Sequence, residues 1–201
     1  DVNEVFKQLT GLGRASRLKH VWQSPFTLHK RVVEAIRNEA RIAIEGRQAR
    51  IVAKMNALLE PGIIDELYAA SKAGVKVDLI VRGVCALKPG VAGLSENIRV
   101  RSIVGRFLEH TRVFWFGNDG ADDVWLSSAD WMDRNFFRRI ELAFPVLDER
   151  LRRRVIKEGL KPCLEDNCQS WIMDGDGGYQ RQQKAGKRYS AQEELLALLS
   201  T

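Results

Sequence analysis

The sequence predicts an α/β domain, a mixed β-sheet flanked by helices, with a polar stretch at its C-terminal end. Three observations predict it. Residues 49–81 read strand, helix, strand, an order that makes a right-handed crossover with adjacent parallel strands. An amphipathic helix pattern precedes that unit. Two short apolar runs around residues 113 and 124, separated by a turn, follow it as a hairpin.

The elements follow in order. Val5, Phe6 and Leu9 are spaced for one helix face, and Thr10-Gly-Leu-Gly13 closes the piece. This looks like the tail of an element that begins earlier, and the chain starts at Asp1 rather than methionine. Ser24-Pro25 punctuates. Leu28, Val32, Val33, Ile36, Ala40, Ala43 and Ile44 then recur at helical spacing until Gly46. Residues 49–55 read as a strand. Glu60-Pro-Gly leads into a helix over 63–73, stopped by Gly74. Residues 75–81 alternate and then become wholly apolar, as a central strand does. Residues 98–104 alternate again. Val113-Phe-Trp-Phe116 is too short for a helix and rich in β-formers, Gly117-Asn-Asp-Gly120 supplies a turn, and Val124-Trp-Leu126 returns. Residues 139–144 give a strand carrying Glu141. Asp148 is placed to cap a basic helix over 149–158. Beyond Gly159 the text turns polar; residues 174–178 and 180–186 read as loop, and Ser190 with Glu193 forms a capping box for a last helix. There is no internal repeat.

Composition bounds the partners. No apolar run approaches the roughly 18 residues needed to span a bilayer. Three cysteines, an odd number, argue for reduced thiols and a cytoplasmic home, with peripheral attachment to a membrane left open. The net charge of +6 and pI near 9.4 fit either a solvated basic surface or an anionic partner. Nucleic acid, phospholipid headgroups and polyphosphate would all answer that charge.

Chemistry concentrates around the hairpin. His110 opens its first strand, and period-2 alternation puts Arg112 on the same face. Ser127, Ser128, Asp130, Arg134 and Asn135 follow where the second strand ends. A histidine, hydroxyls and an arginine at one sheet edge suit an oxyanion of phosphorus. Arg82 leaves the end of a central strand, where ligands of open α/β sheets gather, and Gly83 and the Pro/Gly loop at 89–93 allow close backbone approach. Lys54 and Asn56 end a strand at that edge and are secondary candidates. Plainer readings stand beside these. Arg82 can be a solvated strand-end charge, Ser127, Ser128 and Asp130 a turn, and Arg152-Arg-Arg154 a solvated helix face. Arg106 can pair with Glu109, and Glu141 with Arg134 or Arg139. Cys163-x4-Cys168 is a poor zinc signature, so free thiols fit better. His20 and His29 lie outside any motif.

His110-Thr-Arg112, Ser127-Ser-Ala-Asp-Trp131 and Glu141 resemble one half-site of the phospholipase D superfamily. Arginine stands where that superfamily has lysine, and Gly117 where its aspartate falls. Four longer stretches sharpen the resemblance: residues 81–85, 87–98, 102–110 and 127–135. Together they resemble the C-terminal part of polyphosphate kinases of the first type. That resemblance implies a phospholipase D-like catalytic domain over 25–160, a remnant of the preceding catalytic domain over 1–24, and an irregular tail with a short helix over 161–201. It implies reversible transfer of the terminal phosphate of ATP to polyphosphate through a phosphohistidine outside this chain. Magnesium would assist, with its ligands outside this chain and none on it. Partners would be ATP or ADP, polyphosphate, the preceding domains of the same chain and further copies in a homo-oligomer, but no nucleic acid. His110 would be a second, catalytic histidine, and Glu141 would orient its ring. Arg82, His110, Arg112 and Ser128 would bind nucleotide or phosphate. The chain alone would be inactive. Two rivals remain: a phosphodiesterase or nuclease, for which the lysine and aspartate are missing, and a non-catalytic polyanion-binding module, which leaves the His110 corner without a purpose.

Overall fold

The computed structural model describes residues 1–11, 18–182 and 186–200. The Leu12-Gly13 part of the first expected turn and residues 183–185 of the expected loop lie outside them. In chain order, α1 (Val2–Leu9) and β1 (Trp22–Gln23) come first, then α2 (Leu28–Ile44), β2 (Arg50–Met55), α3 (Pro61–Lys72), β3 (Lys76–Val81) and β4 (Ile98–Ile103). The hairpin β5 (Val113–Phe116) and β6 (Asp123–Ser127) leads to α4 (Asp133–Phe137) and β7 (Leu142–Pro145). Then come α5 (Glu149–Val155), a π turn (Ile156–Leu160), α6 (Lys161–Glu165), β8 (Ser170–Met173), β9 (Tyr179–Arg181) and α7 (Ala191–Leu199).

One mixed sheet runs β1-β7-β6-β5-β2-β3-β4-β8-β9. Its centre is parallel: β2 pairs β3 from Arg50 opposite Lys76 to Met55 opposite Val81, and β4 continues beyond β3. The helix between them starts firmly because Glu60 accepts from the Gly62 and Ile63 N–H groups at 3.1 and 2.6 Å, with Pro61 in the first turn. The β5–β6 hairpin returns antiparallel against β2.

Strand alternation then builds two layers. Ile51, Ala53 and Met55 of β2, with Leu79 and Phe114, face α2 and α3 through Leu28, Val32, Ile36, Ile63 and Leu67. Val52, Ile80, Ile103 and Val113 face the other way, covered by Ile156, Leu160 and Cys163 of the π turn and α6. The expected mixed sheet flanked by helices is what forms.

Several expectations change. The hairpin's first strand starts at Val113, so His110 and Arg112 precede it rather than share one of its faces, and the helix expected over 149–158 runs on past Gly159 through the π turn into α6. The strand expected over 139–144 starts at Leu142; the Glu141 carbonyl still accepts the Ser24 N–H at 2.9 Å, while its side chain bonds Ser128 and Asn135. The stretch after Gly159 is not irregular: β8 pairs with β4 and β9 with β8, covering the edge that β4 would otherwise leave bare. The capping box is not made. Ser190 Oγ turns to Gln169, Glu193 pairs with Arg188, and Asp166 Oδ2 instead accepts from the Ala191 N–H at 2.7 Å.

Glu39 is a fully buried carboxylate on α2 that accepts the Asn118 N–H at 2.6 Å and the Arg50 N–H at 3.0 Å. Burial raises its pKa, and the two backbone bonds only partly oppose that. A raised carboxylate contributes stability that is complete below the unfolded-state value and is lost as pH climbs through the folded value. Urea denaturation should therefore show stability falling as pH rises above the ordinary carboxylate value, and Glu39→Gln should remove that fall.

Candidate active site

The corner after β6 is fixed by backbone first. Beyond β2, Ala57 O accepts the Trp131 N–H at 3.1 Å, and Trp131 O accepts the N–H groups of Leu59 and Glu60 at 2.8 and 3.0 Å. Trp131 itself is fully buried against Phe114. This seats Asp130 at the end of the central strands.

Asp130 organises the site. Its Oδ1 accepts the Asn56 N–H at 2.7 Å, Asn56 Nδ2 at 3.0 Å and Arg112 Nε at 3.1 Å, while Oδ2 accepts Arg112 Nη2 at 3.2 Å. The paired side chains are largely buried, 16% exposed for Arg112 and 10% for Asp130. The fork geometry is the one a guanidinium and a carboxylate favour. Arg112 Nη1 stays free to reach His110, 3.3 Å from Nε2 and 3.2 Å from the carbonyl oxygen. An arginine N–H only donates, so in this contact Nε2 accepts and Nδ1 carries the ring proton. His110 is exposed.

Glu141 and Ser128 are brought together, but not with His110. Glu141 Oε2 accepts from Ser128 Oγ and Oε1 from Asn135 Nδ2 at 2.7 Å. Neither Arg134 nor Arg139 pairs with it, and among the described residues the His110 ring is held by Arg112 rather than by a carboxylate. Ser128 Oγ also accepts the Leu142 N–H, tying the corner to β7.

Arg82 lies half-buried at the end of β3. With residues 103–109 it lines a cavity of about 280 Å³ that ends one residue short of His110. Gly83 fits closely there, because a Cβ would sit a tight 3.1 Å from the Asn56 carbonyl oxygen. The close approach is to the chain's own backbone.

Lys54 is not an exposed anion contact. It is buried, 2.7 Å from Glu109 Oε2 and 3.4 Å from Cys163 Sγ. Burial lowers the ammonium's pKa, but pairing with Cys163 and Glu109 more than restores it. Burial likewise raises Glu109, and Lys54 pulls it below the usual carboxylate range. Lys54 thus takes the partner expected for Arg106, whose guanidinium lies over the Phe107 ring. The three cysteines are free, and burial pushes the Cys85 thiol up to about 11, so it is not a nucleophile near neutral pH. His29 pairs with Glu60 at 3.1 Å, and Arg153 and Arg154 pair along their own helix.

Asp130, Asn56, Asn135 and Glu109 were missed as site residues or given minor parts. Asp130 hides in a Ser-Ser-Ala-Asp run whose composition already accounts for a turn. Nothing local signals its ion pair with a residue 18 positions earlier.

Fold and corner together define an α/β domain that presents a histidine, backed by an arginine–aspartate pair, at one end of a mixed sheet. The profile of the "Polyphosphate kinase C-terminal domain 2" family matches residues 21–192, and the chain belongs to that family. The polyphosphate kinase of Burkholderia multivorans is 65% identical over 198 residues, covering 98% of this chain and 29% of the relative. That of Paraburkholderia phytofirmans is 63% identical over 196 residues, with 98% and 28% covered. The crystal structure of polyphosphate kinase from Porphyromonas gingivalis superposes with a TM-score of 0.95 at 36% identity, covering this whole chain and 31% of that one. The chain thus spans under a third of the length of the relatives it matches. No helix among the described residues is long and apolar enough to cross a membrane.

Proposed function

We propose that this chain is the C-terminal part of an ATP:polyphosphate phosphotransferase and supplies the acid–base half of its site. The observation that carries the reading is His110 held at the sheet end by Arg112, which is itself locked by Asp130. In that arrangement the neutral ring donates an Nδ1–H hydrogen bond to a phosphoryl or leaving oxygen; it passes a proton only as the imidazolium, with Nε2 also protonated and Arg112 Nη1 held by the His110 carbonyl alone, and takes that proton back in the reverse direction. Arg112 adds fixed positive charge beside the transferring group without having to reorganise. Arg82, which lines the cavity beside the segment leading to His110, binds the nucleotide's phosphates. Ser128 gives its one hydroxyl proton to Glu141 and accepts the Leu142 N–H, so it can donate to a phosphate only after leaving Glu141.

The nucleophilic histidine is placed outside this chain. His29 is occupied by Glu60, and His20 lies outside any motif of the sequence. Magnesium does not fit the residues present. Among the described residues no three histidine, cysteine, aspartate or glutamate side chains converge to hold a cation. Asp130 is committed to Arg112 and Asn56, and Glu141 to Ser128 and Asn135. The magnesium ligands come from elsewhere in the whole enzyme. The same reading makes the chain alone inactive, with ATP or ADP and polyphosphate as substrates. It places the whole enzyme as a homo-oligomer in the cytoplasm or at its membrane face, without nucleic acid.

The test is a chimera in which this chain replaces the matching 29% of the Burkholderia multivorans enzyme, assayed for polyphosphate made from ATP. An active chimera supports the reading, and a folded but inactive one contradicts it. In an active chimera, Arg82→Ala should raise KM for ATP about tenfold, the loss of one charged phosphate contact, with a smaller change in kcat.

A further inference from the structure

The segment that carries His110 is not held by burial. Val104, Phe107 and Leu108 are 61%, 47% and 74% exposed, and no strand or helix runs between Ile103 and Val113. Yet the segment must present the ring at a defined place. Hydrogen bonds from far along the chain do what the core does not.

Gln192, in the first turn of α7, is 6% exposed. Its side-chain amide brackets Phe107 as a neighbouring strand would. Gln192 Oε1 accepts the Phe107 N–H at 2.9 Å, and Nε2 donates to the Phe107 carbonyl at 2.8 Å. The same Nε2 donates to Glu109 Oε1 at 2.8 Å, and Lys54 holds the other oxygen of Glu109. Glu109 is the residue before His110, so the segment is clamped on both sides of its exposed apolar tip. Lys54 also neutralises a carboxylate that would otherwise repel phosphate. Two features make the clamp close. Gly105 has no Cβ, and one there would overlap the Gln192 and Gln169 side-chain amides. Asp166 seats α7 by accepting the Ala191 N–H through Oδ2, while its Oδ1 accepts the Cys168 and Gln169 N–H groups entering β8.

We infer that Gln192, with Lys54 acting through Glu109, is a positioning residue for His110, and that the C-terminal helix is part of the active-site framework. This rests on the reading of His110 given above. Displacement of a reacting group by about 1 Å costs up to about a hundredfold in rate. In the chimera, Gln192→Ala should therefore lower kcat about tenfold or more while KM for ATP stays within about threefold. Hydrogen–deuterium exchange should speed up over residues 104–112 and stay unchanged in β2 and β3. Gln192→Glu, which keeps the shape but cannot donate and repels Glu109, should give the same pattern and serves if the alanine variant does not fold. A kcat within twofold of the parent in either folded variant overturns the inference. So does exchange that rises equally across the sheet, which marks general destabilisation. His110→Ala run alongside separates the two claims: full turnover there removes the role of His110, while the exchange data still report whether Gln192 holds the segment.

Discussion

His110→Ala in the active chimera is expected to lower kcat for polyphosphate synthesis by about 10²–10⁴-fold, the range of general acid–base catalysis, with KM for ATP changed only a few-fold. The split follows from the geometry. On the proposed reading, Arg82 and Arg112 meet the phosphate charge in the ground state, and the substitution leaves both in place. The ring's Nδ1 proton matters most when charge develops on the transferring oxygen, and interactions made only in the transition state appear in kcat. Arg112 Nη1 loses its ring contact but keeps the His110 carbonyl at 3.2 Å, so the pocket should not collapse. Steady-state kinetics over a range of ATP concentrations reads both constants at once. A variant with raised KM and full kcat would make His110 a binding residue.

Much of the framework behind that prediction was legible in the sequence. The helix over 28–44 and the strands at 50–55 and 76–81 have strong periodicity and firm punctuation at Gly46, Glu60-Pro61 and Gly74. His110 and Arg112 came from a local pattern, and their side chains do meet; Ser128 came from the same pattern but lies with Glu141 instead. What failed was set by distant partners. β8, a short Ser-Trp-Ile-Met run between polar flanks, and β9, three residues long, are too brief for a firm strand pattern and pair because β4 has an open edge. Glu141 was expected to reach the histidine, but Ser128 and Asn135 lie closer once the chain folds over β7. Lys54 read as a charge at a strand end; the pleat turns it inward, where only Glu109 makes its burial tolerable. Gln192 carried no signal at all, since an amide in a last helix usually faces water.

Asp130→Ala is expected to destabilise this chain by about 3 kcal/mol, the lower end for breaking a buried ion pair by removing one partner. The other partner decides the size. Arg112 is only 16% exposed and loses both of its carboxylate bonds, while the Asn56 N–H and Nδ2 lose their acceptor in a buried place. Arg112 can swing partly toward solvent, which keeps the cost from the upper end of that range. Urea denaturation followed by tryptophan fluorescence measures it, since Trp131 is buried beside the lost carboxylate. The same substitution should lower kcat in the chimera through the freed guanidinium, which no longer holds the imidazole. A midpoint shift equivalent to less than about 1 kcal/mol, the size of a surface pair, would mean that the pair is solvated in solution.

The central claim is that this chain brings the acid–base histidine and not the phosphorylated one. Incubating the active chimera with γ-labelled ATP and magnesium, quenching in alkali and mapping the acid-labile phosphate by peptide tests it most directly. The predicted result is label on a histidine peptide from the Burkholderia multivorans portion and none on peptides containing His20, His29 or His110. Stoichiometric phosphohistidine at His110 would contradict it.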